Sequence, residues 1–280
     1  MNESKQRADV LLAGMYPQYS RAALAQLFDK DLVSLGDKIL KAGDKVPANS
    51  ILSSDISSLQ MPTEAIDLPI LYEDKDCIVI NKPAGVLTHA LGKHGNEASV
   101  ASFIRARVSG LEGDRAGIVH RLDRATSGVI ISAKNQRALS LMQKQFEQRR
   151  IKKIYSAVVK GRPEPSEAVI DMPILRNPKA PSTFRTGANG KPARTHYKVL
   201  KVSDRYSLLE LRPETGRTHQ LRVHLAKVGH PIVGDPLYGD GKYGDRLFLH
   251  AKSLEITLPS GERKTFSAPT PKEFEKKLAP

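Results

Sequence analysis

The chain has 280 residues, enough for about two domains at the usual size of roughly 100–200 residues each. Lys and Arg number 44 against 30 Asp and Glu, a net charge of +14. The two signs are interspersed, which excludes a disordered basic tail and makes a polyanion the first partner to test. Cys77 is the only cysteine, so an intrachain disulfide and any cysteine-built zinc or iron–sulfur centre are excluded. No uncharged run of about 18 apolar residues occurs, and a soluble, cytoplasmic protein with no membrane partner is expected.

In chain order, Val10, Leu11 and Leu12 open a short apolar segment. Ser20 stands as a helix cap before Ala22, Ala23, Leu24, Leu27 and Phe28 at helical spacing, and Leu32-Val33-Ser34 reads as a short strand. Residues 35–38 and 41–46 read as turns, and residues 50–62 are polar and turn-rich enough for a linker. The expected organisation is a small module over residues 1–58, a linker over 59–67 and a larger domain over 68–280.

The larger region opens with an exposed strand at Ile70-Leu71-Tyr72, an acidic turn, and the buried strand Cys77-Ile78-Val79-Ile80, which makes Cys77 an inert core residue. A turn over 81–86 precedes a short helix over 99–107 with Val100, Phe103 and Ile104 inward. Residues 128–133 form another buried strand, followed by a helix over 135–149 whose stripe of Ala138, Leu141, Met142, Gln145 and Phe146 faces the core. Strands are then expected at 154–159, 168–171, 193–202, 206–212 and 253–258, with a loop over 177–191. A helix over 218–227, capped by Thr218, carries Leu221 and Leu225 on one face. Several hairpins and few helices indicate α+β, with a mixed, largely antiparallel sheet, because crossover helices need a dozen or more residues between strands.

Two polar stretches can carry chemistry. In His120-Arg121-Leu122-Asp123-Arg124-Ala125-Thr126-Ser127-Gly128, arginines place positive charge on both sides of one carboxylate, as either a catalytic group on a nucleic-acid surface or a structural ion-pair loop requires. In Gly216-Arg217-Thr218-His219-Gln220-Leu221-Arg222-Val223-His224, Arg222 lies early in a helix, where it reaches a carboxylate or a phosphate. His219, His224 and His230 lack the spacing of a metal site, and Asp235 is a weak additional ligand candidate. No dinucleotide fingerprint, phosphate loop or Gly-any-Ser-any-Gly elbow is present. The run Arg149-Arg150-Ile151-Lys152-Lys153, with Arg105, Arg107, Lys179, Arg185, Lys191 and Arg194, supplies either a phosphate track or a solvated face.

Residues 120–128 resemble the catalytic signature of the RluA-type RNA pseudouridine synthases, the branch containing the RluC and RluD enzymes. Lys153-Ile154-Tyr155-Ser156-Ala157 is similar to the family's second motif. Residues 216–224, followed by Pro231-Ile232-Val233-Gly234-Asp235 and Tyr238-Gly239, are similar to the third. The first 55 or so residues resemble, less strongly, the small RNA-binding module named after ribosomal small-subunit protein four. Here Ser34-Leu35-Gly36-Asp37 stands where many such modules have a Val-Asn-Gly turn.

The resemblance implies a pseudouridine synthase catalytic fold and site-specific isomerisation of uridine in structured RNA. Large-subunit ribosomal RNA is the expected substrate, with transfer RNA or a non-catalytic RNA-binding role as alternatives. It implies Asp123 as the catalytic carboxylate, Tyr155 as the residue stacking on the base and a candidate for the final proton removal, and Arg222 as the partner that orients Asp123. Arg121 is expected to enter the RNA in place of the extruded uridine, and Lys82, Arg124 and Arg217 to bind RNA. Isomerisation needs no cofactor, metal or triphosphate, and nothing in the sequence requires more than a monomer.

Overall fold

The computed structural model describes residues 4–279 apart from 18, 20, 61–64, 90–96, 109, 112–114, 116 and 243–244. The cap expected at Ser20 therefore lies outside the described residues, as does part of the 59–67 segment. The N-terminal elements are β1 (Lys5–Arg7), α1 (Ala8–Met15), α2 (Arg21–Asp29), β2 (Val33–Leu35), β3 (Lys38–Ile39), β4 (Lys45–Pro47), β5 (Ser53–Ser54) and α3 (Ser57–Gln60). β1 pairs with β4, while β2 is flanked by β3 and β5. Ala8 and Leu12, then Leu24, Leu27 and Phe28, recur at helical spacing and meet Val33, Leu40, Val46 and Leu52 in one buried cluster.

The sequence of residues 50–62 hides part of this unit. β5 pairs with β2, Leu52 is buried, and Ile56 and Leu59 pack on the same cluster. The serines and aspartates between them give the segment a linker's composition, but three apolar side chains spaced three or four apart suffice to fasten it.

The remaining elements are β6 (Ile70–Glu73), β7 (Cys77–Lys82), α4 (Val100–Arg105), β8 (Ser127–Ala133), α5 (Gln136–Glu147), β9 (Lys152–Lys160), β10 (Glu167–Asp171), β11 (Ile174–Arg176), β12 (Phe184–Thr186), β13 (Arg194–Val202), β14 (Tyr206–Pro213), α6 (Gln220–Lys227), β15 (Leu249–Thr257), β16 (Arg263–Ser267) and α7 (Lys272–Leu278). They build a 9-stranded sheet in the order β10-β13-β14-β9-β15-β8-β7-β6, with β16 on β15. Each of these pairings is antiparallel except β15 with β8, so the α+β fold with a mixed, mostly antiparallel sheet is what the chain adopts. At that parallel pairing Gly128 lies opposite Ala251 with φ of +115°, and a Cβ there would stand 2.2 Å from the Ala251 carbonyl oxygen. Only glycine fits such an approach.

β7 and β8 are buried on both faces, which explains their unbroken apolar runs. Val79 and Ile131 meet Ala138 and Met142 of α5 on one side, while Ile78, Ile80 and Ile130 meet Phe103 and Ile104 of α4 on the other. Each of these Val, Ile, Met and Phe side chains contributes roughly 1.5–3 kcal/mol by leaving water. Ser99 caps α4 in a reciprocal capping box with Ser102, and Asn135 caps α5 through the Ala138 amide. Leu141 departs from expectation and is 41% exposed. The Gln145 amide donates to the Thr257 carbonyl and accepts from the Thr257 N–H, which fixes the rotation of α5 and leaves Leu141 off the buried face. Residues 177–191 are likewise more than a loop, because β12 pairs with β11. Among the described residues no helix is long and apolar enough to cross a membrane.

Candidate active site

Asp123 sits in an irregular loop between residue 117 and β8, and the loop's backbone is held almost residue by residue. Leu122 is buried, and Thr88 both donates its hydroxyl to the Leu122 carbonyl at 2.7 Å and accepts the Leu122 N–H at 3.1 Å. The Asp123 carbonyl accepts from the Thr126 amide, and the Arg124 carbonyl from the Gly85 amide. Arg246 donates to the Ala125 carbonyl at 3.3 Å and to the Ser127 hydroxyl at 2.7 Å. That leaves the Ser127 proton for His250 Nδ1, 2.8 Å away, and burial first of all pushes the His250 imidazole down to about 4. His120 accepts the Ile131 N–H and stacks on Phe146 at 4.7 Å, with its pKa pushed down to about 3 by burial and then by Lys153.

Lys82 differs from its expected place on an RNA-facing surface. It is fully buried, and its ammonium donates to the carbonyls of Pro83, Val86 and Arg124. Three protons and three acceptors leave nothing for a phosphate. Burial moves its pKa down to about 7, with Asp123 pulling in the opposite direction. Lys82 thus holds the loop from beneath.

Across the cleft, α6 starts without the Thr218 cap. His219 occupies the cap position in the left-handed region, with φ of 56° and no side-chain cap bond. The turn before it is secured by Gln220, whose buried amide accepts from Thr215 and the Arg217 N–H and donates to the Arg194 carbonyl. One step further on, Arg222 is 5% exposed and grips the fully buried Asp235 through two hydrogen bonds of 2.7 Å. Its remaining nitrogen, Nη1, reaches Asp123 Oδ2 at 3.4 Å. Arg222 and Asp123 are therefore brought together, but the stronger partner is Asp235, which also accepts the Leu237 and Tyr238 amides. Burial opposes the Arg222 charge, while Asp235 and then Asp123 more than offset it and raise its pKa.

Tyr155, on β9, lines the same cleft as Asp123 and Arg222, together with Arg121, Lys153, Arg217 and His219. The enclosed cavity is small, about 110 Å³, and opens directly to solvent. Burial and then Asp123 push the Tyr155 phenol upward. Burial also brings the Lys153 ammonium down to about 8, with Arg149 adding to the effect.

Arg121 is exposed at the cleft, and Arg217 lines it while donating Nε to the Pro192 carbonyl. Arg124 instead forks onto Glu97 at 2.6 and 2.8 Å, outside the cleft lining. His224 bonds Thr195 and the Met172 carbonyl, His230 bonds the Lys160 carbonyl, and His219 bonds Tyr238, so the three histidines of the metal reading have separate partners. Sequence reasoning gave no role to Tyr238, Thr88 or Arg246, and it read Asp235 only as a weak metal-ligand candidate, whereas the structure makes it the buried partner of Arg222. Asp235 and Tyr238 sit in the segment similar to the family's third motif, which was the available signal.

The family model described as RNA pseudouridylate synthase matches residues 76–227, more than half of the chain and inclusive of Asp123, Tyr155 and Arg222. The chain belongs to the RNA pseudouridylate synthase family. It is 40% identical over 98% of its length to an uncharacterized RNA pseudouridine synthase of Chloroflexus aurantiacus, covering 89% of that protein. It is 37% identical over 96% of its length to the ribosomal large subunit pseudouridine synthase D of Nitrosomonas europaea, covering 82% of it. Among solved structures, human RNA pseudouridylate synthase domain containing 4 superimposes with a TM-score of 0.61 at 30% identity, over 75% of this chain and 91% of that one. Human RNA pseudouridylate synthase domain containing 1 gives 0.60 at 31% identity, over 75% and 86%. This RNA pseudouridine synthase is thus an isomerase, and the RluA-type resemblance of residues 120–128 agrees with the names of these relatives.

Proposed function

We propose that this synthase converts specific uridines of large-subunit ribosomal RNA to pseudouridine, with Asp123 as the catalytic carboxylate. The observation that carries the assignment is the convergence of Asp123, Tyr155 and Arg222, from three separate segments, on one cleft. The reaction breaks the N1–C1′ bond, turns the uracil and forms a C5–C1′ bond. The C5 proton leaves and N1 gains one, so composition is unchanged. A carboxylate at the ribose and a flat side chain for the detached base meet those needs by position rather than by redox chemistry. Tyr155 supplies the flat face, and the upward push on its phenol keeps its proton in place, which favours stacking over proton removal. Arg222, clamped by Asp235, presents one nitrogen to Asp123 and cannot swing away.

Arg121, Arg217 and Lys153 give the cleft its positive lining, suited to phosphates on either side of an extruded nucleotide. Residues 1–58 serve as the RNA-holding module, and the names of two relatives, the large-subunit synthases of Nitrosomonas europaea and Haemophilus influenzae, support ribosomal RNA as the substrate. The test is incubation of wild-type protein and Asp123→Asn with unmodified ribosomal and transfer RNA, followed by nucleotide-resolution mapping of pseudouridine. New modification of ribosomal RNA by the wild type alone is expected. Equal modification by both proteins sinks the Asp123 assignment, and modification confined to transfer RNA sinks the substrate.

A further inference from the structure

His219 is the residue of the cleft whose geometry the roles above leave unused. It is a non-glycine residue in the left-handed backbone region, a strained conformation that gathers at functional sites. Its ring is wedged edge-on between Phe184 and Tyr238, with centroids 5.5 and 5.6 Å away, and its side chain is 15% exposed. Nδ1 lies 2.8 Å from the Tyr238 hydroxyl, and Nε2 faces Asp123 Oδ2 at 3.8 Å.

Counting protons fixes which nitrogen carries hydrogen. The Phe184 backbone N–H can only donate, and it donates to the Tyr238 oxygen at 2.8 Å. The one hydrogen-bond acceptor shown for the Tyr238 proton among the described residues is His219 Nδ1. Nδ1 therefore accepts, and the proton of the neutral ring sits on Nε2, aimed at Asp123. Burial first of all lowers the imidazole's pKa, against the pull of Asp123, so the neutral ring prevails near neutral pH. Arg222 Nη1 addresses the same oxygen, Oδ2, at 3.4 Å. No hydrogen bond is shown to Oδ1 among the described residues.

We propose that His219 is a positioning residue for Asp123: Tyr238 fixes its tautomer, and its Nε2–H joins Arg222 in holding Oδ2 so that Oδ1 is presented to the ribose. The inference rests on Asp123 being the catalytic carboxylate. At 3.8 Å the contact is open without substrate, and it shortens to a hydrogen bond when the nucleotide is seated, as catalytic contacts commonly do. No bond to His219 is made or broken, and its proton stays in place through the turnover.

Two substitutions at this position separate a positioning role from a structural one, because they rank oppositely. Asn tolerates the left-handed backbone and places its amide where Nδ1 was, so His219→Asn preserves the fold but removes the donor toward Asp123. Gln strains the backbone but places an N–H where Nε2 was. With wild-type protein, both variants, Tyr238→Phe and Asp123→Asn, thermal unfolding and single-turnover pseudouridine formation on ribosomal RNA are measured side by side. The expected result is a melting temperature higher for Asn than for Gln, and a rate lower for Asn than for Gln. The Asn variant should fall about 10- to 100-fold in kcat with KM unchanged, the penalty of a displaced catalytic group. Tyr238→Phe, with its tautomer released, should lose about tenfold in kcat. Rates that follow the order of stability, a change confined to KM, or wild-type kcat in Tyr238→Phe overturns the proposal. Full activity in Asp123→Asn overturns instead the reading on which it rests.

Discussion

The loop carrying Asp123 and the N-terminal unit over residues 5–60 both do without long regular elements, and they are secured by different physics. In the loop, the peptide groups of Leu122, Asp123, Arg124 and Ala125 each have a named partner, supplied by Thr88, Thr126, Lys82, Gly85 and Arg246. In the N-terminal unit, strands of two or three residues gather round a cluster of buried apolar side chains. Hydrogen bonds are directional and fix coordinates, whereas apolar burial is non-directional and fixes only a shape. The role proposed for Asp123, meeting one sugar, needs the first kind of anchoring. The RNA-holding surface proposed for the N-terminal unit is served by the second.

The contrast can be broken at either end. The largest effect is expected from Asp123→Asn, which should cut pseudouridine formation by about 10²- to 10⁴-fold, as loss of a positioned catalytic carboxylate does, while the unfolding midpoint stays put. A loop of ordinary stiffness would instead show a stability change as well. Asp235→Ala leaves the Arg222 guanidinium buried beside one distant carboxylate and should cost about 3–5 kcal/mol, read from urea unfolding.

Acid should act on the loop's underside. His250 is neutral in the fold down to about pH 4, whereas its free form protonates near pH 6.5. Between those values the unfolded chain binds the extra proton, so stability that is whole above about pH 6.5 is lost as pH falls, by roughly 3 kcal/mol from this group at pH 4. Unfolding curves across that window check it, and His250→Asn should flatten the dependence. The smallest effect belongs to the N-terminal unit. Lys38→Glu with Lys45→Glu, both exposed, should raise KM for ribosomal RNA several-fold and lower the salt slope of binding by about 1 per lysine, with kcat unchanged. A fall in kcat would mean that the unit helps set the catalytic geometry.

What the sequence made legible follows the same division. The doubly buried strands β7 and β8 announce themselves by unbroken apolar runs, and the helix of Val100, Phe103 and Ile104 by its spacing. Asp123, Tyr155 and Arg222 are legible because motif resemblance carries them. Lys82 was misplaced because a lysine at the end of a strand, read as the start of a turn, looks alike whether it faces water or three carbonyls. Asp235 was read as a weak metal ligand because the buried partner that claims it, Arg222, lies 13 residues back in the preceding helix. Leu141 shows the limit of periodicity, since a helix's rotation is set by tertiary bonds such as those of Gln145 with Thr257.

Gly128 has a consequence for the chemistry as well as for the sheet. Asp123 precedes β8, in the antiparallel run β8-β7-β6, while Tyr155 lies on β9, in the run that reaches out to β10. The two runs are stitched together by the short parallel pairing of Ser127 and Gly128 with His250 and Ala251. The gap between the Asp123 carboxylate and the Tyr155 ring is thus gauged by one seam, and the missing side chain at Gly128 is what lets that seam close. Either half of the sheet can change its outer strands while the spacing of Asp123 and Tyr155 is kept, provided that this joint is left alone.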